Sequence, residues 1–176
     1  ARGAGKPVPP ALAGIEPRAS AQAIAASLLT GAKRAVFLGN ASLDISFHIE
    51  NSTFSGNLAG AVGPQGTGHG GALAAFGPGD CVHCTFADNR SYYFDSILGN
   101  SIYAQAPGLG LWSTVLSVQS GANCEGIAPI SHDHNLASDE SCALSEPFDV
   151  EGADPMLGLI GDNGGPTWTQ LPLPGS

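Results

Sequence analysis

The sequence is poor in charged residues, and most of those present are acidic. Charged residues make up 12% of the 176 residues, against about 25% in an average soluble domain. Six basic residues face fifteen acidic ones, and the net charge is −9. Because nucleic-acid binding needs clustered cations that displace phosphate counterions, this balance argues against nucleic acid and against an anionic membrane surface as partners.

Several other features are also missing. No apolar run approaches the roughly 20 residues of a membrane-spanning helix, so we expect the chain not to span a membrane. The 25 glycines follow no Gly-X-Y period, which excludes collagen. The scarcity of Lys, Glu and Arg argues against a helix bundle. With 13 prolines and 43% hydrophobic residues, the sequence is typical of one domain of short strands and tight turns.

The first 31 residues have their own pattern. Residues 1–19 hold four prolines among alanines and glycines, which predicts an extended arm. Ser20 can cap a helix that Gly31 can end, so residues 20–31 are predicted to form one short helix. A helix of this length is marginal alone and must dock, either as an ordinary packed helix or as a cap over a β structure.

From residue 35 onward the hydrophobic pattern has a period of two. It recurs at residues 43–50, 71–76, 81–86, 96–103 and 112–118, which we interpret as strands with one apolar face. Clusters of Gly, Pro, Asn and Asp separate these stretches. Asn-Gly or Asp-Gly hairpin turns are lacking until the end of the chain, which argues against a simple antiparallel sandwich.

One short pattern repeats. Thr-Phe followed by an asparagine recurs after 32 residues, and it aligns Phe54 with Phe86 and Asn57 with Asn89. A period of this length indicates stacked repeats, as in a parallel β-helix. There, Phe54 and Phe86 would stack in the core. Asn57 and Asn89 would form a ladder at a corner, because Asn tolerates a left-handed backbone and can bond to a neighbouring main chain.

The four cysteines leave two questions. Cys81 and Cys84 look like half of a zinc site, but no second Cys-x-x-Cys exists. On a regular strand these two side chains would point to opposite faces, so they could bond only if the chain bends between them. A disulfide between Cys124 and Cys142 is favoured, because both lie in turn-rich segments where closing a short loop restricts the unfolded chain. The even number fits an oxidising compartment.

Three stretches resemble a known family. They are the Thr-Phe repeat, the segment 123–142, and the segment 153–169 with its Ala-Asp-Pro and Asp-Asn-Gly-Gly-Pro motifs. The chain thereby resembles bacterial secreted or surface proteins that have right-handed parallel β-helix repeats and a choice-of-anchor type C-terminal domain. The resemblance implies a right-handed solenoid on an exported protein, and it supports the Cys124–Cys142 bridge. Because no signal-peptide pattern stands at Ala1, the sequence alone fits either a cytosolic chain or a processed one, and the resemblance favours a mature chain whose signal peptide has been removed.

Together these observations predict an all-β fold. We expect a small right-handed parallel β-helix, a solenoid of about four coils, over residues 32–150. The arm and the short helix would precede it, and the helix would cap one end. The Gly/Pro-rich segment 151–176 would cover the other end, because stacked-repeat folds need caps.

Candidate chemical sites are few. Asp44, His48 and Glu50 form an outward stripe, but alternate residues lie about 6.8 Å apart along a strand, so a plain solvent-facing surface is favoured over a metal site. His132 and His134 would share a strand face and could bind a metal, although a surface loop is the favoured interpretation. Four acidic residues in loops could hold structural calcium: Asp149, Glu151, Asp154 and Asp162.

The two tryptophans have two interpretations. Trp112 and Trp168 could stack on sugar rings or could plug the ends of a narrow core, and the second is favoured for Trp168.

The sequence therefore favours a non-catalytic extracellular structural protein without a cofactor. Its partners would be copies of itself, joined end to end or through the N-terminal arm into a surface fibre. The first alternative is a surface adhesin that binds polysaccharide through an exposed aromatic row. The second is a polysaccharide lyase or hydrolase, which would need a groove with converging carboxylates.

Overall fold

A computed structural model describes residues 36–37, 41–43, 46–59, 68–93, 96–98, 101–165 and 168–176. All regular structure in these ranges is β, which confirms the all-β prediction. None of the described residues belongs to a helix that is long and apolar enough to cross a membrane. The predicted arm and the helix at residues 20–31 lie outside the described residues.

The strands are short, with two to four residues each. In chain order they are β1 (Val36–Phe37), β2 (Ala41–Leu43), β3 (Phe47–Glu50), β4 (Thr53–Ser55), β5 (Leu58–Ala59), β6 (Leu73–Ala75), β7 (Gly79–Val82), β8 (Thr85–Ala87), β9 (Arg90–Tyr93), β10 (Ser96–Leu98), β11 (Ile102–Ala104), β12 (Leu109–Trp112), β13 (Val115–Ser117), β14 (Cys124–Gly126), β15 (Ile130–Ser131), β16 (Leu136–Ala137) and β17 (Val150–Glu151).

Three parallel sheets contain most of the strands. Sheet A has the order β1-β4-β8-β13-β16-β17, sheet B the order β14-β11-β6-β2, and sheet C the order β15-β12-β7-β3. A smaller sheet D pairs β5 with β9 in parallel and β9 with β10 in antiparallel fashion. The expectation of parallel rather than meandering strands is therefore confirmed.

The chain passes through sheets B, C and A in the same order four times. We call each passage a circuit; the four circuits are β2-β3-β4, β6-β7-β8, β11-β12-β13 and β14-β15-β16. In sheet A, Phe54 pairs with Phe86, Phe86 with Leu116, and Leu116 with Ala137. These partners are 32, 30 and 21 residues apart in the sequence.

The core lies inside these circuits. Phe54, Phe86, Leu116 and Ala137 occupy one inward position of sheet A, and each is 0% exposed. The rings of Phe54 and Phe86 stack with centroids 4.6 Å apart, close to the spacing of neighbouring strands. The residue at this position becomes smaller along the chain, from phenylalanine to leucine to alanine, and all four side chains are fully buried.

The sequence pattern located strands but misjudged their lengths. The stretch at residues 43–50 was expected to be one strand, yet Leu43 ends β2 of sheet B and Phe47 begins β3 of sheet C. The stretch at residues 81–86 is likewise divided between β7 and β8. In both cases the chain turns a corner between two sheets within a stretch that keeps alternating in hydrophobicity.

Candidate functional site

The corner from sheet C to sheet A has the same construction in every circuit. A residue with left-handed backbone comes first: Asn51 (φ 50°), His83 (φ 52°), Ser113 (φ 45°) and His134 (φ 60°). Asn is enriched in this conformation and His is too, so the local sequence suits the turn. Directly after it comes a buried polar or thiol side chain, and these four residues form what we call the corner row: Ser52, Cys84, Thr114 and Asn135.

The corner row ties each circuit to the one before it. The Cys84 thiol donates to the Ile49 carbonyl at 3.6 Å, and the Thr114 hydroxyl donates to the Cys81 carbonyl at 3.2 Å. Asn135 donates from Nδ2 to the Leu111 carbonyl at 3.1 Å. Ile49, Cys81 and Leu111 are themselves partners in sheet C, so each donor reaches the equivalent carbonyl of the preceding circuit.

This geometry accounts for the two remaining cysteines. Cys81 and Cys84 are both free, and both are buried because the left-handed His83 bends the chain between them. The hydrogen bond with Cys84, together with burial, raises the pKa of Cys81 well above its usual value. The same hydrogen bond lowers the pKa of Cys84. Because both side chains are buried and the Cys84 thiol donates to the Ile49 carbonyl, the pair suits packing and corner formation better than metal binding.

A second corner follows the strands of sheet A. Asn57 and Asn89 are both buried, and Asn57 donates from Nδ2 to Asn89 Oδ1 at 2.9 Å. Asn89 donates in turn to the Phe54 carbonyl at 3.1 Å. The structure thus places these asparagines as a ladder at a corner and the phenylalanines as a stack in the core.

The C-terminal end of sheet B is covered by the segment after β16. Cys124 and Cys142 form a disulfide with an S–S distance of 2.02 Å, which holds this segment against β14. The Cys124 amide donates to Ser141 Oγ at 3.0 Å, and the preceding amide of Asn123 donates to Asp139 Oδ2 at 2.9 Å. The side chains of Asp139 and Ser141 thus accept hydrogen bonds from two backbone amides. Within the described part of the chain, no further strand pairs with these amides.

Asp149 organises the adjoining corner. Its carboxylate accepts hydrogen bonds from the Ser131 hydroxyl and from the amides of Asn135 and Glu146, both at 2.9 Å. Burial works to raise the pKa of Asp149, but these hydrogen bonds favour the carboxylate and bring the net pKa below its usual value. Both oxygens are occupied within the chain, which leaves this residue poorly suited to the structural calcium expected from the sequence.

Sheet A, in contrast, ends in an open edge. The last strand, β17, pairs with β16 on one side, and no described residue forms a strand on its other side. The Val150 amide donates to the Asn135 carbonyl at 2.8 Å, so the amide of Glu151 points to the outer edge. Phe148 is 66% exposed and Val150 is 45% exposed beside that edge. An unpaired strand edge next to apolar side chains can accept another strand.

The outer face of sheet C carries the expected stripe in part. His48 and Glu50 are exposed on β3, whereas Asp44 lies outside the described residues. Trp112 on β12 is 41% exposed, and its ring stacks on His132 with centroids 4.0 Å apart and an interplanar angle of 9°. Trp112 is therefore part of an outer face and not a core plug.

The histidine cluster does not have the expected strand geometry. β15 ends at Ser131, and both Asp133 (φ 79°) and His134 (φ 60°) are left-handed. His132 packs on Trp112, whereas His134 stacks on Phe148 at 5.1 Å, so the two imidazoles serve different neighbours. No group of three metal-ligating side chains occurs among the described residues, Glu151, Asp154 and Asp162 included.

The C-terminal segment differs from expectation in its apolar residues. Its arms are joined by antiparallel bridges, Leu157 with Pro172 and Gly161 with Thr169. Trp168, expected to cover the end of the core, is 56% exposed, and Leu159 is 94% exposed. Trp168 and Leu159 therefore face outward, whereas Pro155 of the same segment is buried.

The corner row is the feature that sequence reasoning missed. Each member precedes, by two positions, an inward residue of sheet A: Ser52 precedes Phe54 and Cys84 precedes Phe86. Extending the 32-residue repeat backward by one residue would have aligned Ser52 with Cys84. The equivalence was therefore present in the sequence, but it pairs a serine with a cysteine, and a repeat defined by identical residues does not include that pair.

Cys84 provides a test of the corner row. Cys84→Ser keeps a donor where Ser52 and Thr114 already use hydroxyls, so we expect a change in unfolding free energy within about 1 kcal/mol. Cys84→Ala removes the donor and leaves a small void, and should destabilise by about 2 kcal/mol. Urea unfolding measures both. Equal destabilisation by the two variants would contradict a donor role for the thiol.

Asp149 provides a pH-dependent test. Because its folded pKa is lowered, its contribution is complete above the ordinary carboxyl pKa of about 3.9 and is lost as pH falls through the folded pKa. Asp149→Asn should lose about 2 kcal/mol at pH 7, and the difference from the native chain should shrink toward pH 3. Thermal unfolding across pH tests this, with the exposed Asp154→Asn as control. A difference that is constant with pH would refute the assignment.

Comparison with known proteins does not indicate a function for the chain. No protein-family model, curated protein or solved structure matches the chain. The function is therefore argued from the corners, the covered end of sheet B, the open edge of sheet A and the outer face of sheet C.

Proposed function

We propose that the described circuits are coils of a right-handed parallel β-helix. Support comes from the repeated order of sheets B, C and A and from partners such as Phe54 and Phe86, which stack one circuit apart. The corner row connects successive circuits as a solenoid requires. Four circuits spaced about 4.8 Å apart would make a short solenoid.

The chain then functions as a non-catalytic structural subunit that assembles with copies of itself at the bacterial cell surface or outside the cell. The observation that supports this most directly is the open edge of β17 with the exposed Phe148 and Val150 beside it. A strand edge of this kind is a template for adding a further strand from another chain. The Cys124–Cys142 disulfide fits an oxidising, extracellular location.

Assembly is tested with the purified chain. Sedimentation velocity should show species larger than a monomer whose size grows with protein concentration, and electron microscopy should show fibres of uniform width. A monodisperse monomer at the highest attainable concentration would overturn the proposed function.

A second function, carbohydrate binding, is favoured by the outer face of sheet C. The Trp112 ring is partly exposed and stacks nearly parallel to the His132 ring, and sugars stack on aromatic rings of this kind. Gly110 lies beside this stack: a Cβ there would come within 3.1 Å of the His132 ring and would also meet the Asp80 carboxylate. The absence of a side chain at Gly110 therefore leaves room for Asp80 and His132 next to the Trp112 ring.

This second function has a direct test. In affinity electrophoresis through gels containing soluble polysaccharides, a binding partner should retard the native chain. Trp112→Ala should abolish the retardation, whereas Trp168→Ala, which removes an exposed tryptophan elsewhere, should leave it unchanged. Equal retardation of both variants, or none of the native chain in a broad polysaccharide panel, would contradict a binding role for this face.

A further inference from the structure

The charges of the chain are strongly segregated along the sequence. Five of the six basic residues precede Val36: Arg2, Lys6, Arg18, Lys33 and Arg34. Only one acidic residue, Glu16, accompanies them. After Arg90 there is no Lys or Arg, but ten carboxylates follow, nine of them beyond Cys124, where β14 begins. The N-terminal segment is therefore positively charged, and the C-terminal part of the sequence is negatively charged.

The sheets convert this sequence asymmetry into a spatial one. Among the described strands of sheet A, β1 and β17 are the two outermost, with four strands between them. Five strand spacings of about 4.8 Å separate them by roughly 24 Å. In the sequence the basic segment directly precedes β1, whose edge of the sheet is opposite to that of β17, and Glu140 and Glu146 are exposed in the segment between β16 and β17.

The two ends of sheet A are also geometrically compatible. Every pairing in this sheet is parallel, from β1 with β4 to β16 with β17. A β1 strand from a second copy, added in the same direction beyond β17, would continue the sheet without a change of pairing type. Sheet B offers no such continuation at this end, because Asp139 and Ser141 already bind the amides of Asn123 and Cys124.

We propose that copies of the chain join head to tail: β1 of one copy pairs in parallel with β17 of the next, and the basic residues 2–34 of the first bind the exposed carboxylates of Glu140 and Glu146 of the second. This inference rests on the proposed self-assembly and specifies its partner surfaces. The two surfaces differ, so the contact is heterologous, and repeating it yields an open filament instead of a closed dimer. Opposite charges steer the correct end into place and disfavour joining like ends.

Two variants test the head-to-tail direction of the contact, and each of them lacks one of the two contacting surfaces. The neutral-segment variant replaces Arg2, Lys6, Arg18, Lys33 and Arg34 with Gln. The blocked-edge variant, Glu151→Pro, removes the outward amide of β17, and Glu151→Ala is its matched control with the amide retained. Circular dichroism and thermal unfolding establish that each variant is folded. Should Glu151→Pro fail to fold, Glu140→Gln/Glu146→Gln replaces it.

Each variant alone is expected to remain monomeric in sedimentation velocity, while Glu151→Ala assembles as the native chain does. A mixture of the two deficient variants should form a discrete 1:1 dimer, because one intact head and one intact tail remain. For the native chain, raising NaCl from about 0.02 M to 0.5 M should weaken association about tenfold or more, because the charges become screened.

The outcomes separate the two proposals. Assembly of the native chain together with unimpaired assembly of either deficient variant would overturn the head-to-tail contact and leave self-assembly standing. The same holds if the mixed variants stay monomeric although the native chain assembles. A native chain that stays monomeric at every concentration and salt would overturn the proposed function itself.

Discussion

The structure depends on a single repeated interaction at the corner between sheets C and A. There, a buried donor on one circuit reaches the main-chain carbonyl of the circuit before it, as Cys84 does to Ile49 and Thr114 does to Cys81. Burying a polar side chain without a partner is unfavourable, so the donor is satisfied only when adjacent circuits are in register. The corner thereby fixes the register of strands that are too short to fix it by themselves.

The same register determines the core. Once Cys84 is aligned with its neighbours in the corner row, Phe86 lies directly over Phe54 two residues later, and Leu116 and Ala137 continue the position. The register also brings Cys142 to Cys124, at the point where the last circuit needs covering. The disulfide and the side chains of Asp139 and Ser141 then complete an end at which no described residue forms a further strand of sheet B.

Part of this organisation could be predicted from the sequence. The part that could not be predicted was hidden for a physical reason. The Phe54 and Phe86 repeat predicted parallel stacking because identical residues at identical positions are neighbours in such a fold. The corner between sheets C and A was not predicted, because inward residues there are spaced by three, as in Cys81 and Cys84, and then again by two, as in Cys84 and Phe86. A left-handed residue between two strands changes which positions of the chain point inward. The alternating pattern of hydrophobicity continues across it, so the two strands are interpreted as one.

The candidate site was less accessible to sequence reasoning. Asp149 and Ser141 act through partners 14 to 18 residues away, and no local pattern indicates those contacts. The tryptophans were hard to place for a related reason: a large ring suits a core plug or an outer face equally, so Trp112 stayed open and the plug favoured for Trp168 was wrong. Only the strand register places Trp112 outside. The open edge of β17 also became visible only with the complete order of sheet A.

The amide of Glu151 reports most directly on the central claim, that sheet A ends in an open edge through which copies join. Hydrogen exchange of this amide can be followed in dilute monomer and in the assembled material. The amide should exchange rapidly in the monomer and become protected on assembly, while the Val150 amide is protected in both. Rapid exchange of Glu151 in the assembled material would contradict strand addition at β17.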